Sequence, residues 1–135
     1  MKYLLDTNVC IVYLKGNNKL LRIKLESHEP SELIVCSVVR FELFYGAIKS
    51  QKKVENIKQQ QLFLKNFSSL FFDDQAAQYC GEIRAHLEKQ GLPIGAYDQQ
   101  IAAITLAHDL TLITHNVREF SRIPNLKIED WEVSS

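Results

Sequence analysis

The chain has no surplus of charge: 16 Lys and Arg balance 16 Asp and Glu over 135 residues. No global field therefore draws it to a polyanion, and any nucleic-acid contact must be made through local patches. Cysteine is scarce. Cys10, Cys36 and Cys80 are odd in number, far apart and outside any CxxC or His-rich spacing, which excludes a disulfide framework and marks them as small buried hydrophobes of a reducing compartment. His28, His86, His108 and His115 lack the HExxH spacing of a zinc site. No apolar run reaches membrane-spanning length, and Asp6 interrupts Met1-Lys2-Tyr3-Leu4-Leu5 before a signal-like hydrophobic region can form. These absences predict a cytoplasmic, soluble protein without a membrane partner. A Gly-rich phosphate loop, a Gly-x-Ser-x-Gly elbow and a Cys-His signature are also missing.

What remains is ordinary globular material, 46% hydrophobic and 24% charged, within the range of one domain with one core spanning residues 1–135. Strand and helix patterns alternate. Tyr3–Leu5 reads as a short strand, and the capping cluster Asp6-Thr7-Asn8 precedes a helix over residues 9–14 closed by Gly16. Lys19–Glu26 reads as an amphipathic helix, residues 33–36 as a buried strand, and Ser37 as the cap of a helix over residues 38–48. The polar stretch 49–61, free of Gly and Pro, predicts a long helix or a helical hairpin arm. Residues 70–72 form the next strand candidate, Asp73 and Asp74 cap a helix over residues 75–90, and Gly91 ends it. After a loop, residues 98–108 are helical in pattern, residues 110–114 are β-rich, and residues 126–128 supply a final edge strand. The alternation predicts an α/β fold with a mostly parallel central sheet and helices on both faces.

Four acids stand out against this background. In open parallel sheets ligands collect beyond the carboxyl ends of the strands, and Asp6 follows the first strand directly. It can act as a helix cap, but Thr7 or Asn8 can take that role and free Asp6 for other work. Glu42 falls on the stripe drawn by Val38, Phe41, Tyr45 and Ile48, so it is expected to face inward and need a basic partner or a cation. Asp98 opens a helix whose inward positions are Ile101, Ala102 and Thr105; Glu119 lies in the loop after residues 110–114. Two carboxylates ~4 Å apart repel by roughly 4 kcal/mol at an effective dielectric of ~20. A gathered set would protonate or splay unless a hard cation such as Mg²⁺ or Mn²⁺ sat among them.

The surrounding residues are more specific than the acids alone. Leu4-Leu5-Asp6-Thr7-Asn8, Ser37-Val38-Val39-Arg40-Phe41-Glu42-Leu43-Phe44-Tyr45-Gly46-Ala47, Asp98-Gln99-Gln100-Ile101-Ala102-Ala103, Thr111-Leu112-Ile113-Thr114-His115-Asn116-Val117-Arg118-Glu119-Phe120 and Glu129-Asp130-Trp131 occur in that order. Together they resemble the PIN-domain toxins of VapBC toxin-antitoxin systems over nearly the whole chain. The resemblance implies a PIN-like three-layer α/β/α domain and a Mg²⁺-dependent endoribonuclease, with Mn²⁺ as a substitute. It implies that Asp6, Glu42 and Asp98 match the main catalytic and metal-binding acids and that Glu119 matches a more variable fourth. Ala96 departs from a common Pro, and Asn116 stands where some relatives have Asp.

The resemblance also implies metal-assisted hydrolysis of an RNA phosphodiester, transfer RNA being the suggested target, with inhibition of translation and growth. Thr7, Thr114 and Asn116 are then placed to position water or phosphate oxygens, and Lys15, Arg118 and Arg122 to contact the RNA backbone. The family further implies a homodimer neutralised by a VapB-like antitoxin, with Phe41, Phe44, Tyr45 and Leu14 lining an apolar groove for it. A phosphorelay receiver domain is the main rival of another class, but Asp6 has no adjacent acid and no Lys follows residues 110–114. A non-catalytic RNA-binding or scaffold role would leave the four acids without a purpose.

Overall fold

The computed structural model describes residues 2–134; the outermost residue at each end of the predicted 1–135 domain lies outside the described residues. Four short strands, β1 (Tyr3–Leu5), β2 (Leu33–Ile34), β3 (Thr111–Ile113) and β4 (Lys127–Glu129), make one sheet in the order β2-β1-β3-β4. All pairings are parallel, with Leu4 opposite Ile34 and Leu112, and Leu112 opposite Ile128. Parallel strands need helical crossovers, which cover both faces of a sheet and bury consecutive residues rather than alternate ones. Accordingly Leu4, Leu5, Ile34, Leu112 and Ile113 are all fully buried.

The helices are α1 (Thr7–Lys15), α2 (Lys19–Glu26), α3 (Ser37–Lys49), α4 (Lys53–Leu64), α5 (Asp74–Gln90), α6 (Ala96–Ala107) and the single turn α7 (Val117–Phe120). Side-chain caps start three of them: Asp6 accepts from the Thr7 N–H at 2.8 Å, and Asn18 accepts from the Leu21 N–H and Asp73 from the Ala76 N–H, both at 2.9 Å. Gly91, at φ 67°, ends α5 by turning its N–H back to the Leu87 and Glu88 carbonyls. The polar stretch after residue 48 becomes a helical hairpin, because the chain breaks at Ser50 and α4 folds back against α3. No helix among the described residues is long and apolar enough to cross a membrane.

Four sequence expectations are corrected. Residues 70–72 do not form a strand. The chain there is pinned by other means: the Val35 N–H donates to Ser68 O at 3.1 Å, the Ser37 N–H donates to Leu70 O at 2.9 Å, and one isolated bridge joins Ile34 to Ser68. Arg40 adds bonds from its guanidinium to the Val35 and Phe67 carbonyls at 2.7 and 3.0 Å, so the segment is tied down at residues 67–70 without a ladder, and Phe71 is left exposed. Ser37 is the first residue of α3, with Cys36 before it as the cap position, and β2 stops at Ile34. The buried stripe of α3 is Val38, Val39, Leu43 and Ala47, whereas Phe41, Tyr45 and Ile48 are exposed. Glu42 therefore stands at the margin of the buried face, not within it.

Candidate active site

Parallel strands end at one edge of the sheet, and the order β2-β1-β3-β4 places the reversal of chain direction across the sheet beside β1. Asp6 follows β1 and Thr114 follows β3, its neighbour. α3 and α6 each begin at the same edge, since α3 leaves β2 and α6 leads back toward the start of β3. Glu42 is in the second turn of α3 and Asp98 in the first turn of α6.

Asp6 is itself the N-cap of α1; neither Thr7 nor Asn8 displaces it. Its Oδ1 accepts from the Thr7 N–H at 2.8 Å and its Oδ2 from the Thr114 hydroxyl at 2.8 Å. With 4% of its surface exposed, the carboxyl group is held in one orientation across the seam between β1 and β3. Burial pushes its pKa up, the bonds from Thr114 and Thr7 pull it down, and the charges of Glu42 and Glu132 push it up again. Thr7 uses its side chain elsewhere: its hydroxyl donates to Glu42 Oε1 at 2.6 Å, linking α1 to α3. Thr114 also accepts the Asn116 N–H at 3.0 Å, which shapes the turn into α7.

Asp98 reports on the whole group. Its pKa is raised to about 6, first by burial and then by the negative charges of Asp6, Glu42 and Glu119. Asp98 thus lies within electrostatic reach of the other three acids, although among the described residues no three of the four bring ligand atoms within 4.8 Å of one another. The donor set is all oxygen, which suits a hard divalent ion. Glu119 lies on α7, partly exposed.

The basic residues are less well gathered. Arg118 is exposed on α7, and Arg122 just beyond it donates to Pro93 O at 3.3 Å, bracing the loop before α6. Lys15 is carried away from the acids: it is the last residue of α1, about 12 Å along the helix axis from Thr7.

One grouping was not foreseen in the sequence. Among the described residues, His115, Asp130 and Glu132 are the trio of potential metal ligands whose donor atoms all lie within 4.8 Å of one another. His115 Nδ1 is 2.9 Å from Asp130 Oδ2, and Glu132 is close enough to Asp6 to influence its protonation. Asp130 and Glu132 flank Trp131, which is 3% exposed and stacked on His28 with centroids 4.8 Å apart. The buried Trp at the end of the sequence was the available signal that its neighbours are held in place. The three thiols are free; Cys10 and Cys36 are buried in the core, where burial pushes Cys36 up to about 11, whereas Cys80 on α5 is only half-buried, contrary to the expectation for all three.

A family model described as the PIN domain matches residues 3–126. The chain is 39% identical over 131 residues to a tRNA(fMet)-specific endonuclease VapC of Salmonella typhimurium strain LT2, covering 97% of this chain and 98% of the relative. The chain belongs to the VapC group of PIN-domain proteins. Ribonuclease VapC2 of Rickettsia felis is 38% identical over 133 residues, covering 98% of this chain and 99% of that protein. Two solved VapC-containing structures superpose closely. They are DNA-bound VapBC from Salmonella typhimurium, with TM-score 0.91 and 39% identity over 97% of this chain and 98% of that one, and VapBC2 from Rickettsia felis bound to a promoter DNA fragment, with TM-score 0.90 and 37% identity over 97% and 99%. The four-stranded parallel sheet flanked by helices is thus the PIN fold that the sequence predicts. PIN nucleases as a class depend on divalent metal, and this chain carries acidic groups able to bind one.

Proposed function

We propose that this VapC-group chain, as a single PIN domain over residues 1–135, is a Mg²⁺-dependent endoribonuclease and the toxin of a toxin-antitoxin pair. The observation that supports the reading best is the geometry of Asp6 at the carboxyl end of β1: the Thr114 hydroxyl beyond β3 holds one of its oxygens, and Thr7 beside it holds Glu42 of α3. Asp6 and Asp98 are assigned as the principal ligands of the ion, Glu42 as a third and Glu119 as the outermost, with Mn²⁺ able to replace Mg²⁺. When bound, the ion supplies charge neutralisation at the scissile phosphate and acidifies a water.

The protein's own groups do the rest. Thr114 and the Thr7 N–H fix both oxygens of Asp6, so that carboxylate needs no reorientation on binding. The Thr7 hydroxyl fixes Glu42. Asn116, braced by Thr114, is assigned to hold a water or phosphate oxygen, and exposed Arg118 a neighbouring phosphate. The names of the relatives support RNA as substrate, with transfer RNA as the candidate class, and the VapBC complexes support a VapB-like antitoxin as partner. A homodimer acting on RNA in the cytoplasm completes the reading.

The test is cleavage of transfer RNA by the purified protein with Mg²⁺ or with EDTA, alongside Asp6→Asn and Asp98→Asn, with sequencing of the RNA ends. Loss of cleavage in both folded variants is expected, and so is loss in EDTA. Retention of Mg²⁺-dependent cleavage by a folded Asp98→Asn protein would overturn the assigned site.

A further inference from the structure

A cleft of about 570 Å³ opens beside the carboxylates, with Thr7, Asn8, Ile11, Phe41, Glu42 and Tyr97 among its lining. Two of these residues, Thr7 and Glu42, belong to the acidic site itself, so whatever fills the cleft lies next to the reacting centre. Its walls are aromatic. Phe41 and Tyr97 are each 46% exposed, unusual for rings of this size, and they meet edge to face at 5.2 Å and 68°. This contact joins α3 to α6 and fixes the two rings before any ligand arrives. Tyr45 closes one side, with the Lys49 ammonium 5.1 Å from its ring centroid.

The charge of the cleft selects its occupant. No Lys, Arg or His lines the cleft itself, Lys49 lying against Tyr45 at its side, and Glu42 contributes a carboxylate; a phosphate is disfavoured beside that carboxylate, while a neutral flat group finds ring surface to stack on. Asn8, at the mouth, brings an amide that can both donate and accept at the edge of such a group. Resting on the ribonuclease reading above, we propose that the Phe41–Tyr97 cleft receives one nucleobase of the RNA, next to the scissile phosphate. Inside a duplex both faces of a base are covered by its neighbours, so the base entering the cleft is unpaired and unstacked. Phe41 and Tyr97 are therefore specificity-determining residues for that base.

The test uses a short unstructured oligoribonucleotide carrying 2-aminopurine at each position in turn. Binding is followed by fluorescence on the Asp98→Asn protein, and cleavage of the same series is measured with the unsubstituted protein and with Phe41→Ala, Phe41→Trp and Tyr97→Ala. Both rings are exposed, so these variants are expected to fold, which circular dichroism checks. Expected are quenching at one position beside the cleaved bond, its loss in the Asp98→Asn/Phe41→Ala double variant, and a fall of about 10-fold in kcat/KM for Phe41→Ala, carried by KM. Phe41→Trp should restore it, and an abasic nucleotide at the quenched position should make Phe41→Ala and the unsubstituted protein equal. Cleavage with no quenched position, or an equal loss on intact and abasic RNA, overturns the base site and leaves the rings to a protein partner. Quenching at a Phe41-dependent position without cleavage sinks the ribonuclease reading instead and leaves the base site standing.

Discussion

Replacing Asp98 by Asn should stabilise the metal-free protein at neutral pH while removing its proposed activity. The carboxyl group is displaced from its usual 3.8 to about 6, by burial and then by Asp6, Glu42 and Glu119. In full shielding that displacement corresponds to about 3 kcal/mol, but Asp98 is partly exposed, and solvent screening reduces the figure to about 1–2 kcal/mol. Because the folded-state pKa is raised, the stability linked to this group is fully present below about pH 4 and is lost as pH rises through about 6. Asp98→Asn removes that loss. In EDTA at pH 8, thermal or urea unfolding should therefore show the variant more stable by about 1–2 kcal/mol, or about 3–7 °C in Tm. The difference should close at pH 4, where the native carboxyl is already neutral. Added Mg²⁺ should then raise the Tm of the unsubstituted protein by mass action and leave the variant nearly unchanged. A variant no more stable at pH 8, or a gain that persists at pH 4, would refute the account of carboxylate repulsion.

Thr114→Val leaves Asp6 Oδ2 and the Asn116 N–H without their buried partner. A loss of about 1–3 kcal/mol is expected on denaturation, together with a higher Mg²⁺ concentration for half-maximal cleavage, since the bond holds the pKa of Asp6 down and its loss lets that pKa rise; Thr114→Ser should recover both. Arg40→Met removes the charged donors that hold the Val35 and Phe67 carbonyls and should cost about 2 kcal/mol in urea unfolding. A change below about 0.5 kcal/mol would mean that residues 67–70 are held by something else. Trp131→Ala empties a buried site against Tyr3 and His28; a loss of about 3–5 kcal/mol is expected, with faster hydrogen exchange in the segment carrying Asp130 and Glu132.

The local elements were legible because each had its own short-range cause. Asn18, Asp73, Gly16 and Gly91 mark helix ends through bonds made within a few residues, and the apolar runs of β1 and β3 announce strands buried on both faces. Residues 70–72 misled because an apolar aromatic run satisfies the strand pattern, whereas the decisive partners, Arg40 and the backbone of Val35 and Ser37, are more than 25 residues distant. The apparent stripe of α3 misled for a related reason. Periodicity identifies two apolar faces, 38/41/45/48 and 39/43/47, and only the neighbours of the helix decide which is buried.

The sequence by itself determined the identity and order of the four acids, their attachment to strand ends and helix starts, and the family. Those depend on residue type and spacing. The tertiary structure alone decided that Asp6 is fixed by Thr114, 108 residues later, that Thr7 serves Glu42 and not the helix cap, and that His115, Asp130 and Glu132 converge. It also left Phe41 and Tyr97 uncovered beside the site. Such facts are distances between segments that only sheet order and helix packing bring together, and a one-dimensional pattern carries no term for them.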